Sequence, residues 1–177
     1  MCIRDRTGGT LAFQAVVPAM VTDRTRSFLV QAASGYRYDP ATTSYPLHRY
    51  SERGWPLPDG IDVGICQGNF YLPNDYVSNM TVTAVVEARG TGNVRVSGGA
   101  AYGAVGESSA THNDNFASAT LAVVNAQINE IWSVNINNAN PGDYFSLDFL
   151  RDADHIDDTL AADLWFMGWR VTYTADS

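Results

Sequence analysis

The chain has 177 residues, of which 45% are hydrophobic and only 17% charged, so it can bury one sizeable core but not two large domains. Its net charge of −8 repels phosphate backbones and anionic headgroups, so we expect neither nucleic acid nor a membrane as partner. All eleven cations are arginine, and fifteen of the nineteen acids are aspartate. This composition is poor in the residues that helix surfaces favour.

The first third of the chain is predicted to lie outside the main domain. Residues 1–8 begin with MCIRDR, which resembles translated sequencing adapter, so we treat them as a leader or scar. Residues 9–58 are expected to form an extended arm with short strands at 10–17 and 27–32. Prolines and tyrosines crowd residues 34–60, which favours an ordered path along another surface over a flexible spacer.

The strongest strand pattern follows at residues 80–88, where apolar and polar residues alternate. Met80, Val82, Ala84 and Val86 share one face, as in a half-buried strand. The glycine-rich segment 89–93 is typical of a tight turn, and 94–96 continues as a strand. We therefore predict a hairpin over residues 80–96.

Further short strands are predicted at 119–124, 128–136, 144–149 and 164–174. Residues 128–136 also fit a helical stripe, but their β-branched content favours a strand. In the last strand Trp165, Met167 and Trp169 are expected to share one face. Residues 98–118, rich in small and polar residues, are expected to form a pair of exposed loops. The spacing predicts an all-β fold, an antiparallel jelly-roll β-sandwich of about eight strands over residues 59–177.

Sequence motifs for catalysis are missing. No serine lies in a G-x-S-x-G elbow, and His48, His112 and His155 are scattered. The segment beginning at Gly90 has Arg95 where a dinucleotide-binding loop needs its third glycine. We expect no enzyme and no cofactor. A hydrolase remains an alternative, and it would need His112 or His155 beside a serine or aspartate in a pocket.

The densest polar cluster is residues 151–159. Four carboxylates within it are candidate calcium ligands: Asp152, Asp154, Asp157 and Asp158. The spacing departs from that of an EF-hand, which needs an oxygen ligand at the fifth position of its loop and glycine at the sixth, where this chain has Ile156 and Asp157. We therefore expect a solvent-facing loop whose aspartates cap turns and pair with Arg151, with calcium binding as the alternative.

Aromatic residues supply a second set of candidates. Sugar rings stack on indole faces and pair with polar side chains, so glycan or subunit-interface contacts are assigned to Tyr102, His112, Trp132, Trp165 and Trp169. Their alternation along strands makes a core or interface role the first expectation.

Several short motifs occur in an order that resembles the C-terminal pattern of jelly-roll virion proteins from tailed bacteriophages. A Gly-Asp turn begins a strand that ends in Arg-Asp, an Asp-Thr loop follows, and the last strand ends in an aromatic residue. The motifs are residues 140–152, 158–163 and 169–173, preceded by 70–76 and 92–94.

This resemblance implies a non-enzymatic structural protein of the virion, in a tail fibre, spike or capsid decoration. It implies a homotrimer that contacts other virion proteins and, in some members, host-surface glycan. A chain that is rich in tyrosine and whose cations are all arginine suits such an interface. The alternative is a carbohydrate-binding, lectin-like β-sandwich module.

Overall fold

The computed structural model describes residues 23–32, 34–39, 42–46, 54–60, 63–108 and 112–176. They contain strands and no helix, so no helix among them is long and apolar enough to cross a membrane. The strands are β1 (Arg24–Gln31), β2 (Ser34–Asp39), β3 (Thr42–Pro46), β4 (Trp55–Leu57), β5 (Val63–Tyr71), β6 (Tyr76–Ala88), β7 (Gly92–Gly103), β8 (His112–Val123), β9 (Ile128–Ile136), β10 (Tyr144–Arg151) and β11 (Leu164–Ala175).

Two antiparallel sheets form a jelly-roll sandwich, which confirms the predicted fold class. One sheet has the order β1-β11-β6-β9, with β4 also paired to β11, and the other has the order β3-β2-β5-β10-β7-β8. From β5 onward every connection crosses between the sheets except the one from β7 to β8. β1 and β5 to β11 supply the eight strands of a jelly roll, and β2 to β4 extend its sheets.

The predicted hairpin over residues 80–96 is wrong. β6 and β7 are consecutive but belong to opposite sheets, and β6 pairs with β11 and β9. Both strands bury a fully apolar face, as Val82 and Val94 show. The core therefore forms between the two strands, which face each other across it.

Residues 98–118 are not the predicted pair of exposed loops. β7 runs to Gly103 and β8 begins at His112, and the two strands pair from Gly92 to Tyr102. The small residues that suggested a loop instead lie along a sheet, where they leave part of its outer surface without large side chains.

A bulge in β11 changes the predicted placement of the tryptophans. Phe166 pairs with Val86 and Gly168 with Val85, so Met167 is the extra residue. Because of this shift, Trp169 faces the core with 0% exposure, whereas Trp165 lies on the opposite face beside the Arg89 guanidinium. At Gly168, with φ +149°, a Cβ would stand 2.2 Å from the Val30 carbonyl oxygen.

The predicted division between an arm and a domain at residue 59 does not match the sheets. β1 pairs with β11 along its whole length, β2 pairs with β5, and β4 pairs with β11. The described part of residues 9–58 is therefore built into the sandwich. The strand predicted at 10–17 lies outside the described residues.

Candidate functional site

Three of the five aromatic and histidine candidates belong to the core of the sandwich. Trp169 lies at its centre, with Phe149, Phe166 and Trp132 around it at ring-centroid distances of 5.5 to 6.1 Å. Tyr102 is 3% exposed. Trp169 and Tyr102 therefore have no surface for a glycan, and the partly buried Trp132 packs against Phe116 and Phe149.

Tyr102 is held by hydrogen bonds at the end of the core. Its hydroxyl donates to the Asn137 carbonyl at 2.7 Å and lies 3.2 Å from Asp114 Oδ2. Burial, followed by the nearby Asp114 charge, raises the pKa of Tyr102 to about 12. His112 stacks on the Tyr102 ring at 5.3 Å, with Nε2 3.7 Å from Glu107 Oε2. His48 lies outside the described residues. His155 is far from His112 in the sequence and contacts Asp157.

The acidic cluster is organised by Arg151. Its guanidinium is fully buried and donates to both carboxylate oxygens of Asp158. It also donates to the carbonyls of Leu57, Leu160 and Ala162 at 2.6 to 2.9 Å. The Asp158 oxygens further accept from the Arg95 and Leu160 amides.

These contacts occupy the Asp158 carboxylate, so it is not available to bind a cation. The calcium-binding alternative required it as a ligand. The described residues contain no group of three or more histidine, cysteine, aspartate or glutamate residues placed to hold a metal ion. Asp154 and Asp157 are exposed, and Asp152 is partly exposed.

A different surface has the shape and chemistry of a binding site: the outer face of the six-stranded sheet. On β10, Phe145, Leu147, Phe149 and Arg151 are buried, so the alternate residues Tyr144, Ser146 and Asp148 face outward. Their cross-strand neighbours on β7 are Gly103, Ala101 and Gly99. The middle of this face therefore lacks large side chains, and a shallow trough runs along β7.

Two adjoining cavities make up the trough and meet at Ala101. The first, about 320 Å³, lies between Tyr71, Tyr144, Ser146 and the loop 104–107. The second, about 260 Å³, is lined by Gly99, Asn113, Asn115, Asp114 and Asp148. Gly103 and Gly99 are four residues apart, so the floor is about 13 Å long at the usual strand rise of 3.3 Å. Its glycines let a ligand approach the backbone closely.

An exposed tyrosine pair stands at one end of the trough. Tyr71 on β5 and Tyr144 on β10 are direct cross-strand partners, 62% and 41% exposed, with ring centroids 5.1 Å apart. Exposed aromatic rings with polar tips are characteristic of recognition surfaces.

Asp148 lies in the second cavity, opposite Gly99. Its carboxylate is partly buried, and burial raises its pKa above the ordinary aspartate value. Within the described part of the chain it has no hydrogen bond or ion pair from another side chain. A desolvated carboxylate without a donor marks a place where a ligand can supply one.

The sequence prediction missed Tyr71, Tyr144 and Asp148, although a signal for two of them was present. In residues 144–149 the apolar side chains occupy the odd positions, so alternation places Tyr144 and Asp148 on the outer face. Tyr71 and the small residues of β7 could not be assigned, because their position depends on strand pairings between distant parts of the chain.

Comparison with known proteins finds a distant structural likeness. Neither a family model nor a curated protein matches the chain. A solved structure of TmCBM61 in complex with β-1,4-galactotriose superposes with a TM-score of 0.37 and 8% identity, covering 85% of this chain and 88% of that one.

Proposed function

We propose that the chain is a carbohydrate-binding β-sandwich module, and that its ligand lies along the trough on the outer face of the six-stranded sheet. The observation that carries the proposal is the combination of an exposed tyrosine pair with a bare floor and polar walls. Tyr71 and Tyr144 offer ring faces and hydroxyls at one end, and Asn113, Asn115 and Asp148 offer hydrogen-bonding groups at the other.

This arrangement suits a sugar chain because a sugar ring has both an apolar face and a rim of hydroxyls. The apolar face packs on an aromatic ring, and the hydroxyls pair with amide and carboxylate groups. The trough is open along its length, so a linear oligosaccharide can lie in it and contact both cavities. We therefore expect affinity to rise with chain length until the floor is filled.

The test is binding to immobilised glycans and to soluble oligosaccharides by calorimetry, with Tyr71→Ala and Tyr144→Ala as variants. Each variant removes an exposed ring, so folding is kept and affinity falls by about tenfold, as expected for an aromatic contact of about 1.4 kcal/mol. Leu29→Ala is the matched control, because Leu29 is 52% exposed but lies on the five-stranded sheet. Unchanged affinity in both tyrosine variants contradicts the proposal.

A second proposal is a homotrimeric virion subunit, as the sequence resemblance implies. It is supported by the open side of the sandwich. β8 pairs only with β7 and β9 only with β6 among the described strands, so both are edge strands. Val124 and Ile128, beside the connection between them, are 44% and 65% exposed. Edge strands and exposed apolar side chains are features that an oligomer covers.

The oligomer is tested by light scattering on purified protein at micromolar concentration. A trimer is expected, and Ile128→Glu is expected to shift it toward monomer. Ile156→Glu is the control, because Ile156 is 91% exposed in the loop after β10. A monomeric wild-type protein contradicts this second proposal without affecting the first.

A further inference from the structure

Among the residues that the structure describes, the charged side chains of the trough are all acidic. A carboxylate lines each cavity, that of Glu107 in the first and that of Asp148 in the second, whereas the Asp114 side chain faces Tyr102 on the core side. No arginine lines either cavity among the described residues, and the chain contains no lysine. The outward arginine on β7, Arg95, lies four residues from Gly99, about 13 Å along the strand, and donates to Thr120.

The position of Asp148 determines what such a surface can accept. Its carboxylate faces the cavity at Gly99, where an added Cβ would stand 3.7 Å from Asp148 Oδ2. A ligand resting on this floor is therefore within reach of the carboxylate. Because an unpaired, partly desolvated carboxylate accepts hydrogen bonds strongly, a hydroxyl is a favourable neighbour and a second anion is an unfavourable one.

We infer that the trough selects neutral oligosaccharides and rejects acidic ones, and that Asp148 is the residue that makes this distinction. The inference rests on the proposed carbohydrate-binding function. Asp148 accepts hydrogen bonds from sugar hydroxyls, and it repels the carboxylate of a uronic acid or a sulfate group at the same position. Glu107 adds to the repulsion at the other end of the trough.

The test uses pairs of oligosaccharides that differ only in charge. Neutral oligomers of galactose, glucose and mannose are compared with the corresponding uronic acid oligomers, at neutral pH and low salt. The wild-type protein is expected to bind at least one neutral oligomer and to bind its uronic acid counterpart at least about tenfold more weakly, since like charges in such a site oppose binding. High salt reduces this difference by screening.

Asp148→Asn keeps the shape of the side chain and removes its charge. We expect it to weaken neutral-sugar binding by about tenfold, the value of a hydrogen bond to a charged acceptor, and to narrow the difference between neutral and acidic oligomers. Asp154→Asn is the control, because it makes the same charge change on an exposed loop. Thermal unfolding of each variant checks the fold.

The outcomes separate the inference from the proposed function. Equal or stronger binding of the uronic acid oligomer overturns the inference and leaves carbohydrate binding in place. Unchanged selectivity in Asp148→Asn removes Asp148 as the cause. Absence of binding to every neutral and acidic oligomer overturns the proposed function and the inference together.

Discussion

Asp148 and Arg151 lie three residues apart on β10 and face opposite sides of the same sheet. They differ in how far their charged groups are paired with partners. Arg151 is fully buried, and its guanidinium is matched by Asp158 and three carbonyls. Asp148 is partly buried, and no side chain in the described part of the chain supplies its carboxylate with such a partner. A charge with every hydrogen bond satisfied belongs to the fold, whereas one held without partners costs stability and needs another reason to be there.

The surroundings of the two residues support this contrast. The Arg151 network joins the end of β10 to β4 and to the loop before β11, so it ties distant segments of the chain together. Asp148 lies between Gln67 of β5 and Gly99 of β7, and among the described residues its carboxylate makes no comparable link between distant segments. Removing a charge should therefore have opposite effects on stability at the two sites.

The largest effect is expected from breaking the Arg151 network. Asp158→Ala leaves a buried guanidinium without its anion, which should lower the free energy of unfolding by about 3–5 kcal/mol. Asp157→Ala, at the exposed neighbouring position, should change it by less than about 0.5 kcal/mol. Urea unfolding measures both. A loss below about 1 kcal/mol in Asp158→Ala would show that the network is not a main support of the fold.

This network also shows what the sequence could and could not predict. The pairing of Arg151 with the acidic loop was foreseen from their proximity in the chain. The contact with Leu57 was not, since it depends on β4 lying beside β11, more than 90 residues away. The Gly-Asp motif behaves in the same way, because Asp143 accepts from the nearby Asn140 amide but its carbonyl also accepts from Leu72.

The strands at 80–88, 144–149 and 164–174 were predicted because alternation is a local signal, while β5, most of β8 and the sheet partners were not. The predicted hairpin over residues 80–96 failed because a turn sequence does not state whether the chain returns to the same sheet or crosses to the other. The trough was missed for the same reason. It arises where β5, β10 and β7 meet, and residues 98–118 alone resemble a loop.

An intermediate effect on stability is expected at Tyr102, which is buried directly beneath the trough with its hydroxyl hydrogen-bonded. Tyr102→Phe leaves the Asn137 carbonyl without its donor, so the free energy of unfolding should fall by about 1–3 kcal/mol. The raised pKa of Tyr102, about 12 against an ordinary value of 10.0, adds a pH dependence. Its contribution is fully present below pH 10 and is lost as pH rises through about 12.

Chemical unfolding at several alkaline pH values measures this dependence. The stability of the wild-type protein should decline over that range, and the decline should be shallower in Tyr102→Phe. Tyr144→Phe is the control, since Tyr144 is 41% exposed. The same alkaline decline in wild type and Tyr102→Phe would contradict a role for the Tyr102 hydroxyl.

The smallest expected effect is at Asp148, where removing the charge should raise stability, whereas breaking the Arg151 network lowers it. Burial raises the pKa of Asp148 above the ordinary 3.8, so its contribution to stability is fully present below pH 3.8 and is lost as pH rises through the folded-state pKa. Asp148→Asn should therefore unfold at a slightly higher temperature than the wild-type protein at neutral pH, and this gain should vanish in acid. Calorimetry at pH 7 and pH 3 measures the difference, with Asp154→Asn expected to show no such gain. A variant that gains stability while losing affinity for a neutral sugar would show that this carboxylate is kept for binding, whereas a loss of stability would place Asp148 with Arg151 as a support of the fold.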